Sequence, residues 1–332
     1  MRILLTRTDR IGDLILSTPA IASVRASFPD ARITMVTSTY NRVVMERNDD
    51  VDEVLSIPPG ASLVAFGRTL RGYDLAIALA PLWADVRLIA ASRARLRVGS
   101  TYRRRWLVRL CAPFLVHRLM ISEADPVLCE RDPHLVVRHE VEQLLDLVAL
   151  AGATARIPRL RLDLRDDDRA VAARLPERPI VFHLGARWLR DGSTPASTLA
   201  LLRELRALEY PLVVTVAPEC EEFGQAVAQA GVADVVLRGL PFHPWAAVFE
   251  RAACVVTVDT GATHVASAVG RPVVVAFEHR YFRLSSQEWA PYRVPSVSLR
   301  KPAGDDEASL ARFRREIVTA VASLSKGEIA AS

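Results

Sequence analysis

The chain has 332 residues, half of them hydrophobic, a length that suits two domains of about 150 residues better than one. The lack of any run of ~18 apolar residues and an N-terminus unlike a signal peptide argue against a membrane-spanning or exported protein, and the net charge of +5 is modest. The four cysteines share no C-x-x-C spacing, so we expect a reduced, cytoplasmic, metal-free protein.

Residues 1–155 alternate short apolar runs with amphipathic stretches, a rhythm typical of parallel βαβ units and of a first domain with these bounds. The apolar runs predict strands at residues 2–6, 32–37, 53–57, 74–79 and 96–99. The amphipathic stretches predict helices at residues 19–27, 40–47, 61–70 and 135–151. For His139, near the start of the last of these helices, we expect a structural role.

A polar segment, residues 8–20, directly follows the first predicted strand. Gly12, which has no side chain, predicts a turn, and Asp13 is then expected to project from the carboxyl end of the strand. Two other readings stay open, because Asp13 can simply cap the next helix, and that helix can begin at Thr18 with Pro19 in its first position.

A basic segment lies between residues 86 and 122, which contain nine arginines and no acidic residue. Three of the arginines are consecutive, Arg103, Arg104 and Arg105, with Tyr102 and Trp106 beside them. This pattern indicates either a solvated face or a surface for an anionic partner.

A second α/β series begins near residue 179. Its predicted strands are residues 180–183, 212–216, 235–237, 254–258 and 273–277, and its predicted helices are residues 195–208, 219–230 and 244–252. Residues 156–178, rich in arginine and aspartate, are interpreted as a linker. The second domain is therefore predicted over residues 179–304, followed by a C-terminal helix (308–323) and tail in residues 305–332.

The segment from residue 258 to residue 277 reads as strand, tight turn, helix and strand. Asp259, Thr260 and Gly261 form the turn, and His264 lies one helical turn further along. A free helix N-terminus at the carboxyl end of a strand favours a bound phosphate, and Gly261 lets the backbone approach it closely. The plainer alternative is that Asp259 or Thr260 caps the helix.

Two of these segments resemble the signatures of glycosyltransferase family 9, the ADP-heptose:lipopolysaccharide heptosyltransferases. Residues 259–272 match D-[TS]-G-x-x-H-x-A-x-x-x-G-x-P, and residues 10–20 match R-x-G-D-x-[VIL]-[LH]-x-[TS]-x-[PA]. The resemblance implies a GT-B fold, in which two Rossmann-like α/β domains face each other across a crevice. It also implies metal-independent, inverting transfer of heptose from ADP-heptose to a sugar hydroxyl of a lipopolysaccharide core acceptor of the lipid A-Kdo type.

The same resemblance implies roles for individual residues. Asp13, supported by Gly12, corresponds to the general base that removes the proton of the attacking hydroxyl. The implied donor-binding residues are Asp259, Thr260, Gly261, His264, Gly185, Ala186, Glu219 and a cation, for which Arg190 is the first candidate and Arg187 its competitor. For Glu219, which would lie against the nucleoside, simple helix capping stays open as the alternative.

Two departures from the family pattern concern the donor site. Asp191 to Pro195 stand in place of the family's K-x-W-P, and Glu278 stands where the family usually has glycine. Transfer from another nucleotide sugar, or to a non-lipid acceptor, therefore stays open. A non-catalytic nucleotide-binding protein of the same fold is a further alternative, against which the intact Asp13 argues.

The resemblance gives the basic segment an anionic partner: an acceptor glycolipid held by Arg103, Arg104 and Arg105, or the inner face of the cytoplasmic membrane. No nucleic-acid-binding motif accompanies these arginines. The two D-x-D strings, residues 50–52 and 166–168, lie before a strand and at the start of a linker helix, so we expect neither a metal nor another cofactor. Two-domain dehydrogenases and periplasmic binding proteins are disfavoured, because no G-x-G-x-x-G and no export signal are present.

Overall fold

The computed structural model describes residues 1–330 and divides the chain into two compact α/β units, Met1–Asp163 and the residues from Leu164 onward. The division falls inside the segment interpreted as a linker. Residues 331–332, the end of the predicted tail, lie outside the described residues.

The first unit is built on a six-stranded sheet in the order β3-β2-β1-β4-β5-β6, with every neighbouring pair parallel. The strands are β1 (Arg2–Arg7), β2 (Arg32–Ser38), β3 (Glu53–Ile57), β4 (Leu75–Ala78), β5 (Leu96–Tyr102) and β6 (Arg118–Ser122). The helices are α1 (Ile11–Ser27), α2 (Leu63–Thr69), α3 (Trp83–Ser92), α4 (Trp106–Cys111), α5 (Pro126–Arg131) and α6 (Glu140–Leu150).

The second unit repeats this topology with the order β12-β11-β10-β7-β8-β9, again parallel throughout. Its strands are β7 (Ile180–Leu184), β8 (Leu212–Val216), β9 (Val235–Leu237), β10 (Cys254–Val258), β11 (Val273–Phe277) and β12 (Ser296–Arg300). Its helices are α7 (Asp166–Ala172), α8 (Pro195–Arg206), α9 (Glu221–Gln229), α10 (Phe242–Glu250), α11 (Gly261–Ala268), α12 (Phe282–Glu288) and α13 (Glu307–Lys326).

The central strands of both sheets are buried on both faces, which explains why they read as continuous apolar runs. Counted within its own unit, each sheet has the strand order 3-2-1-4-5-6, which is the Rossmann order. The fold class predicted from the sequence is confirmed. In such sheets ligands bind at the carboxyl ends of the strands where the order reverses, which here means β1 with β4 and β7 with β10.

Helix α1 corrects the prediction for residues 8–20. It begins at Ile11, eight residues before the predicted start, so Gly12 lies inside the helix rather than in a turn, and Asp13 belongs to the first helical turn. Pro19 has no N–H to donate to the carbonyl of Ile15, and it is tolerated inside the helix because that carbonyl accepts the Thr18 hydroxyl at 2.7 Å instead.

Other elements also differ from the predictions. Residues 40–47 contain a 3₁₀ turn, Arg42–Val44, rather than a helix. The predictions missed α3, α4, α5, α12, β6 and β12. Helix α7 lies in the segment interpreted as a linker, and it packs on α10, where Arg169 makes a bidentate ion pair with Glu250 at 2.7 and 2.9 Å. Across residues 1–330, no helix combines the length and apolar character that crossing a bilayer requires.

Candidate active site

Asp13 lies where the strand order of the first sheet reverses. β1 ends at Arg7, and the first turn of α1 then carries Asp13 over the carboxyl edge of β1 and β4. The side chain of Asp13 is 21% exposed, so it is shielded from bulk water but still accessible. A carboxylate in this position can accept a proton from a bound hydroxyl group.

The guanidinium of Arg7 is surrounded by acceptors beside Asp13. Its Nε donates to Asp9 at 2.9 Å, and its Nη1 donates to Glu140 at 2.9 Å and to the carbonyl of Leu79 at 2.8 Å. Its Nη2 faces the Asp13 carboxylate at 3.5 Å. Arg7 is 2% exposed, and the carboxylates of Asp9, Asp13 and Glu140 balance its buried charge.

Burial raises the pKa of Asp13 to about 7, and the neighbouring charges act in both directions. Arg7 and, more weakly, Arg10 favour the ionised carboxylate, whereas Asp9 and Glu140 oppose it. Burial also disfavours the charged form of Arg7, but its carboxylate neighbours outweigh this and raise the pKa of Arg7 well above its usual value. Arg7 therefore remains a cation while Asp13 exchanges its proton near neutral pH.

A second buried carboxyl, Asp85, lies in the first turn of α3 on the β4 side of the same edge. One oxygen of Asp85 accepts the hydroxyl of Thr8 at 2.9 Å, and the other has no hydrogen-bond partner among the described residues. Burial raises the pKa of Asp85 to about 6. This edge of the first unit thus holds two carboxyl groups that titrate well above their usual range.

The turn after β10 has the predicted form in the second unit. Thr260 occupies the N-cap position of α11, but its side chain makes no capping hydrogen bond. The hydroxyl of Thr260 instead contacts the carbonyl of Val258 at 3.3 Å. Thr263 donates its N–H to the carbonyl of Thr260 at 3.1 Å, which leaves the preceding N–H groups of Gly261 and Ala262 available to an anion. His264 is 5% exposed in the following turn of α11.

The loop after β7 lies beside that turn. A side chain added at Gly185 would contact Thr260 and Val258 at 3.6 Å, so Gly185 lies directly against the Asp259–Gly261 turn. Ala186 then begins a 3₁₀ turn, Ala186–Leu189. These two segments, both assigned to the donor from the sequence, thus meet at the carboxyl edge of β7 and β10.

Arg187, the competitor in the sequence interpretation, is the arginine that lies at this turn. Its Nη1 pairs with Asp259 at 2.7 Å, and its Nε pairs with Glu278, at the end of β11, at 2.9 Å. Arg190 is exposed and pairs with Asp191 at 3.3 Å. The structure therefore brings Arg187 to Asp259 and leaves Arg190 at the rim.

Lys301, which the sequence analysis did not select, supports the same loop. Its Nζ donates to the carbonyls of Arg187 and Arg190, the latter at 2.7 Å, and its side chain is almost fully buried. Burial, together with the positive charges of Arg187 and Arg190, lowers the pKa of Lys301 to about 8, against the opposing effect of nearby acids. Lys301 thus fixes the backbone that presents Arg187.

Glu219 lies at the carboxyl end of β8, in a 3₁₀ turn before α9. Its side chain is exposed, and Cys220 rather than Glu219 occupies the N-cap position of α9. The capping alternative for Glu219 is therefore wrong, and the residue lies at the same sheet edge as the loop after β7.

The three consecutive arginines follow β5, two strands from β1 at the same carboxyl edge. Arg103 pairs with Glu123 at 2.5 Å, and Arg105 donates to the carbonyl of Pro81 at 3.1 Å. The guanidiniums of Arg104 and Arg105 lie over the Tyr102 ring, 5.2 and 5.4 Å from its centre. Arg103 and Arg104 are exposed, whereas Arg105 is half-buried.

Both D-x-D strings make structural contacts, and in the second string Asp168 accepts the backbone N–H of Arg165 at 2.8 Å. Asp52 accepts the backbone N–H of Ile33 and pairs with Arg25, both at 2.6 Å, and Asp50 pairs with Arg161 at 3.2 Å. Over residues 1–330, no three His, Cys, Asp or Glu side chains are grouped so that they could hold a metal ion. His139 caps α6 by accepting the N–H of Val141 at 3.1 Å, as its expected structural role requires.

The comparisons with known proteins agree with this geometry. The family model described as glycosyltransferase family 9 (heptosyltransferase) matches residues 63–300. Lipopolysaccharide heptosyltransferase 3 of Escherichia coli is 23% identical over 290 residues, which cover 82% of this chain and 83% of that protein.

Solved structures show the same GT-B fold. A family 9 glycosyl transferase from Veillonella parvula superposes with a TM-score of 0.77 at 20% identity, covering 98% of this chain and 97% of its own. E. coli heptosyltransferase WaaC with ADP-2-deoxy-2-fluoro heptose gives a TM-score of 0.68 at 18% identity, covering 96% of this chain and 99% of its own. Because the family model spans well over half of the chain, the chain belongs to glycosyltransferase family 9, the heptosyltransferases, and is a glycosyltransferase.

Proposed function

We propose that this chain transfers a heptose from ADP-heptose to a sugar hydroxyl of a lipopolysaccharide core acceptor, with inversion at the anomeric carbon. The observation that carries the reaction type is Asp13, an accessible carboxyl at the first sheet's reversal point whose burial raises its pKa to about 7. A general base is most effective when its pKa lies near the working pH.

In the proposed reaction, Asp13 accepts the proton of the acceptor hydroxyl as that oxygen attacks the anomeric carbon. The bond from that carbon to the β-phosphate oxygen of the donor breaks in the same displacement, and ADP leaves with the bonding electron pair. A single displacement on the face opposite the leaving group inverts the configuration.

The donor is assigned to the second unit. The uncapped N-terminus of α11, the Thr260 hydroxyl and Gly261 offer donors and space to a diphosphate, and His264 lies one turn further along the helix. Charge that develops on the departing ADP would be stabilised by these N–H groups and by Arg187 or Arg190. The structure of E. coli heptosyltransferase WaaC with ADP-2-deoxy-2-fluoro heptose supports the choice of donor.

One observation favours a second candidate, transfer from a different nucleotide sugar. The carboxylates of Asp259 and Glu278 both engage Arg187, so the turn presents an ion-paired triad rather than an unengaged carboxylate. A sugar whose hydroxyls match this triad would be preferred over one that needs Asp259 alone.

The acceptor is assigned to the surface that follows β5. Arg103 and Arg104 are exposed there, and α4 and the next turn add Trp106, Leu110 and Phe114, which are exposed despite being apolar. Such a combination suits an anionic glycolipid, with contact to the inner face of the cytoplasmic membrane where that glycolipid is anchored. We further propose that no metal assists, since the helix N-terminus and arginines can meet the diphosphate charge.

Mass spectrometry of the products from a panel of nucleotide sugars and core acceptors tests the proposal. The expected result is an acceptor heavier by one heptose, together with ADP, when ADP-heptose is the donor. Transfer of another sugar in preference to heptose would select the second candidate. ADP binding without transfer from any donor would indicate a non-catalytic nucleotide-binding protein.

A further inference from the structure

A buried contact joins the first turn of α6 to the end of β1, two segments far apart in sequence. Glu140 is 5% exposed and points toward Arg7 rather than toward water, and α6 packs along α1, the helix that carries Asp13. Asp9 approaches Arg7 from the loop between β1 and α1. A carboxylate buried this deeply costs free energy unless it is paired, which makes its partner informative.

The hydrogen bonds of Arg7 are distributed unequally among its neighbours. Asp9, Glu140 and the Leu79 carbonyl each accept a bond of 2.8–2.9 Å, whereas Asp13 stands at 3.5 Å, beyond normal hydrogen-bond length. Asp13 therefore feels the positive charge of Arg7 without receiving a short, charge-assisted hydrogen bond from it.

We propose that Glu140 and Asp9 are positioning residues that keep Asp13 basic by occupying Arg7. Without them, the guanidinium would turn its unshared charge and N–H groups toward Asp13 and stabilise the carboxylate. A carboxylate stabilised in this way is a weaker base for the acceptor hydroxyl. This inference rests on the role proposed above for Asp13.

Each charged group near Asp13 shifts its pKa in the direction that this arrangement requires. Arg7 from β1 and Arg10 from the start of α1 lower the pKa of Asp13, and Asp9 and Glu140 raise it. Asp85, on α3, interacts electrostatically with Asp9 and Arg7. Removing either Glu140 or Asp9 therefore subtracts a negative charge that opposes ionisation and also releases Arg7.

The test is a carboxyl titration that needs no substrate. In protein labelled with ¹³C at aspartate Cγ, the Asp13 signal is assigned by its loss in Asp13→Asn, and its pKa is measured in the wild type and in Glu140→Gln. We expect the substitution to lower the pKa of Asp13 by about one unit or more. Glu142→Gln is the matched control, because Glu142 lies on the same helix but pairs with Arg156 and not with Arg7.

Asp9→Asn is the second variant. Asp9 lies in a loop and is less buried than Glu140, so we expect Asp9→Asn to fold even if Glu140→Gln does not. It should also lower the pKa of Asp13. In a transfer assay the acid limb of the kcat/KM–pH profile should move to lower pH in both variants, with a lower plateau because the base is weaker. A purely structural role would lower the plateau without moving the limb.

The two proposals fail in different ways. An unchanged pKa of Asp13 in both Asp9→Asn and folded Glu140→Gln, in a wild type that transfers heptose, would overturn this inference alone. A wild type that transfers no sugar would overturn the proposed function and leave the titration result standing.

Discussion

Gly192→Ala tests whether the loop after β7 holds the donor in the form that the structure gives it. Gly192 has a positive φ of 78°, and an added Cβ would overlap the carbonyl oxygen of Pro302 and lie 3.1 Å from its carbonyl carbon. Both clashing atoms belong to the backbone, so no side-chain rotation relieves them. The loop must therefore move away from the segment that begins with Lys301.

The size of the effect follows from the bonds that this movement breaks. Ordinary contact needs ~3.5 Å, so the loop shifts by on the order of 1 Å, enough to lengthen the bonds from Lys301 to the carbonyls of Arg187 and Arg190. Each hydrogen bond from a charged group contributes ~1.5–3 kcal/mol. If ADP binding depends on this loop, losing one such bond weakens ADP by ~10-fold or more, since 1.4 kcal/mol is tenfold.

Gly270→Ala separates this clash from backbone strain. Gly270 has a similar φ of 72°, and an added Cβ there meets no atom of the described residues within 4 Å. Gly270 lies at the end of α11 away from the turn. The variant should therefore lose ~1–2 kcal/mol of folding stability to left-handed backbone strain, while its ADP affinity is unchanged. Calorimetric ADP titrations and thermal melts on both variants decide the matter. Equal ADP affinity in both, despite equal losses of thermal stability, would refute the role of the loop.

Four further outcomes are expected. Thr260→Val should weaken ADP by ~1 kcal/mol in a calorimetric titration, because it removes a hydroxyl available to a phosphate, and an unchanged affinity would remove that residue from the donor site. The combined variant Arg103→Glu, Arg104→Glu and Arg105→Glu should raise the acceptor KM and leave the ADP affinity unchanged. Added salt should likewise raise the acceptor KM of the wild type. An unchanged acceptor KM would mean that these arginines form only a solvent-exposed surface. Asp13→Asn should stabilise the fold in thermal melts, and more so at pH 8 than at pH 5. The pKa of Asp13 rises from 3.8 in the unfolded chain to about 7 in the folded protein, so above pH 3.8 the ionised carboxylate destabilises the fold, increasingly as the pH rises. Activity should survive excess EDTA, and its loss with recovery on adding magnesium would reveal a metal site.

The strands were predictable where both of their faces are buried. β8, β10 and β11 have the predicted bounds, because a run of apolar, mostly β-branched residues between turn residues has few other interpretations. The turn from β10 to α11 was predictable for the same local reason.

The start of α1 was predicted wrongly because its two helix-disfavouring residues were interpreted as a turn and as the first residue of the helix. Gly12 costs a helix only ~1 kcal/mol, and the Thr18 hydroxyl satisfies the carbonyl that Pro19 leaves without a donor. Burial against the sheet outweighs both costs. Local propensity could not reveal this, since the compensation comes from tertiary packing.

The charged neighbours of the candidate site could not be predicted from local sequence patterns. Arg7 and Glu140 are 133 positions apart, and the sequence offered only a charged residue at the end of an apolar strand as a hint. The sequence also favoured Arg190 over Arg187. Arg187 lies inside the 3₁₀ turn Ala186–Leu189, whereas Arg190 follows it with an extended backbone, and residue spacing alone does not show where such a turn ends. Lys301 is one of two lysines in a chain rich in arginine, and this rarity was a similar hint that the sequence analysis did not use.

The most direct test of the central claim compares single-turnover transfer by Asp13→Asn and the wild type at pH 7.5, with ADP affinity measured on the same preparations. If Asp13 is the base that activates the acceptor hydroxyl, transfer should fall by ~10²–10⁴-fold while ADP affinity stays within error of the wild type. Near-normal transfer by Asp13→Asn would contradict the assignment and with it the account of the first unit's site.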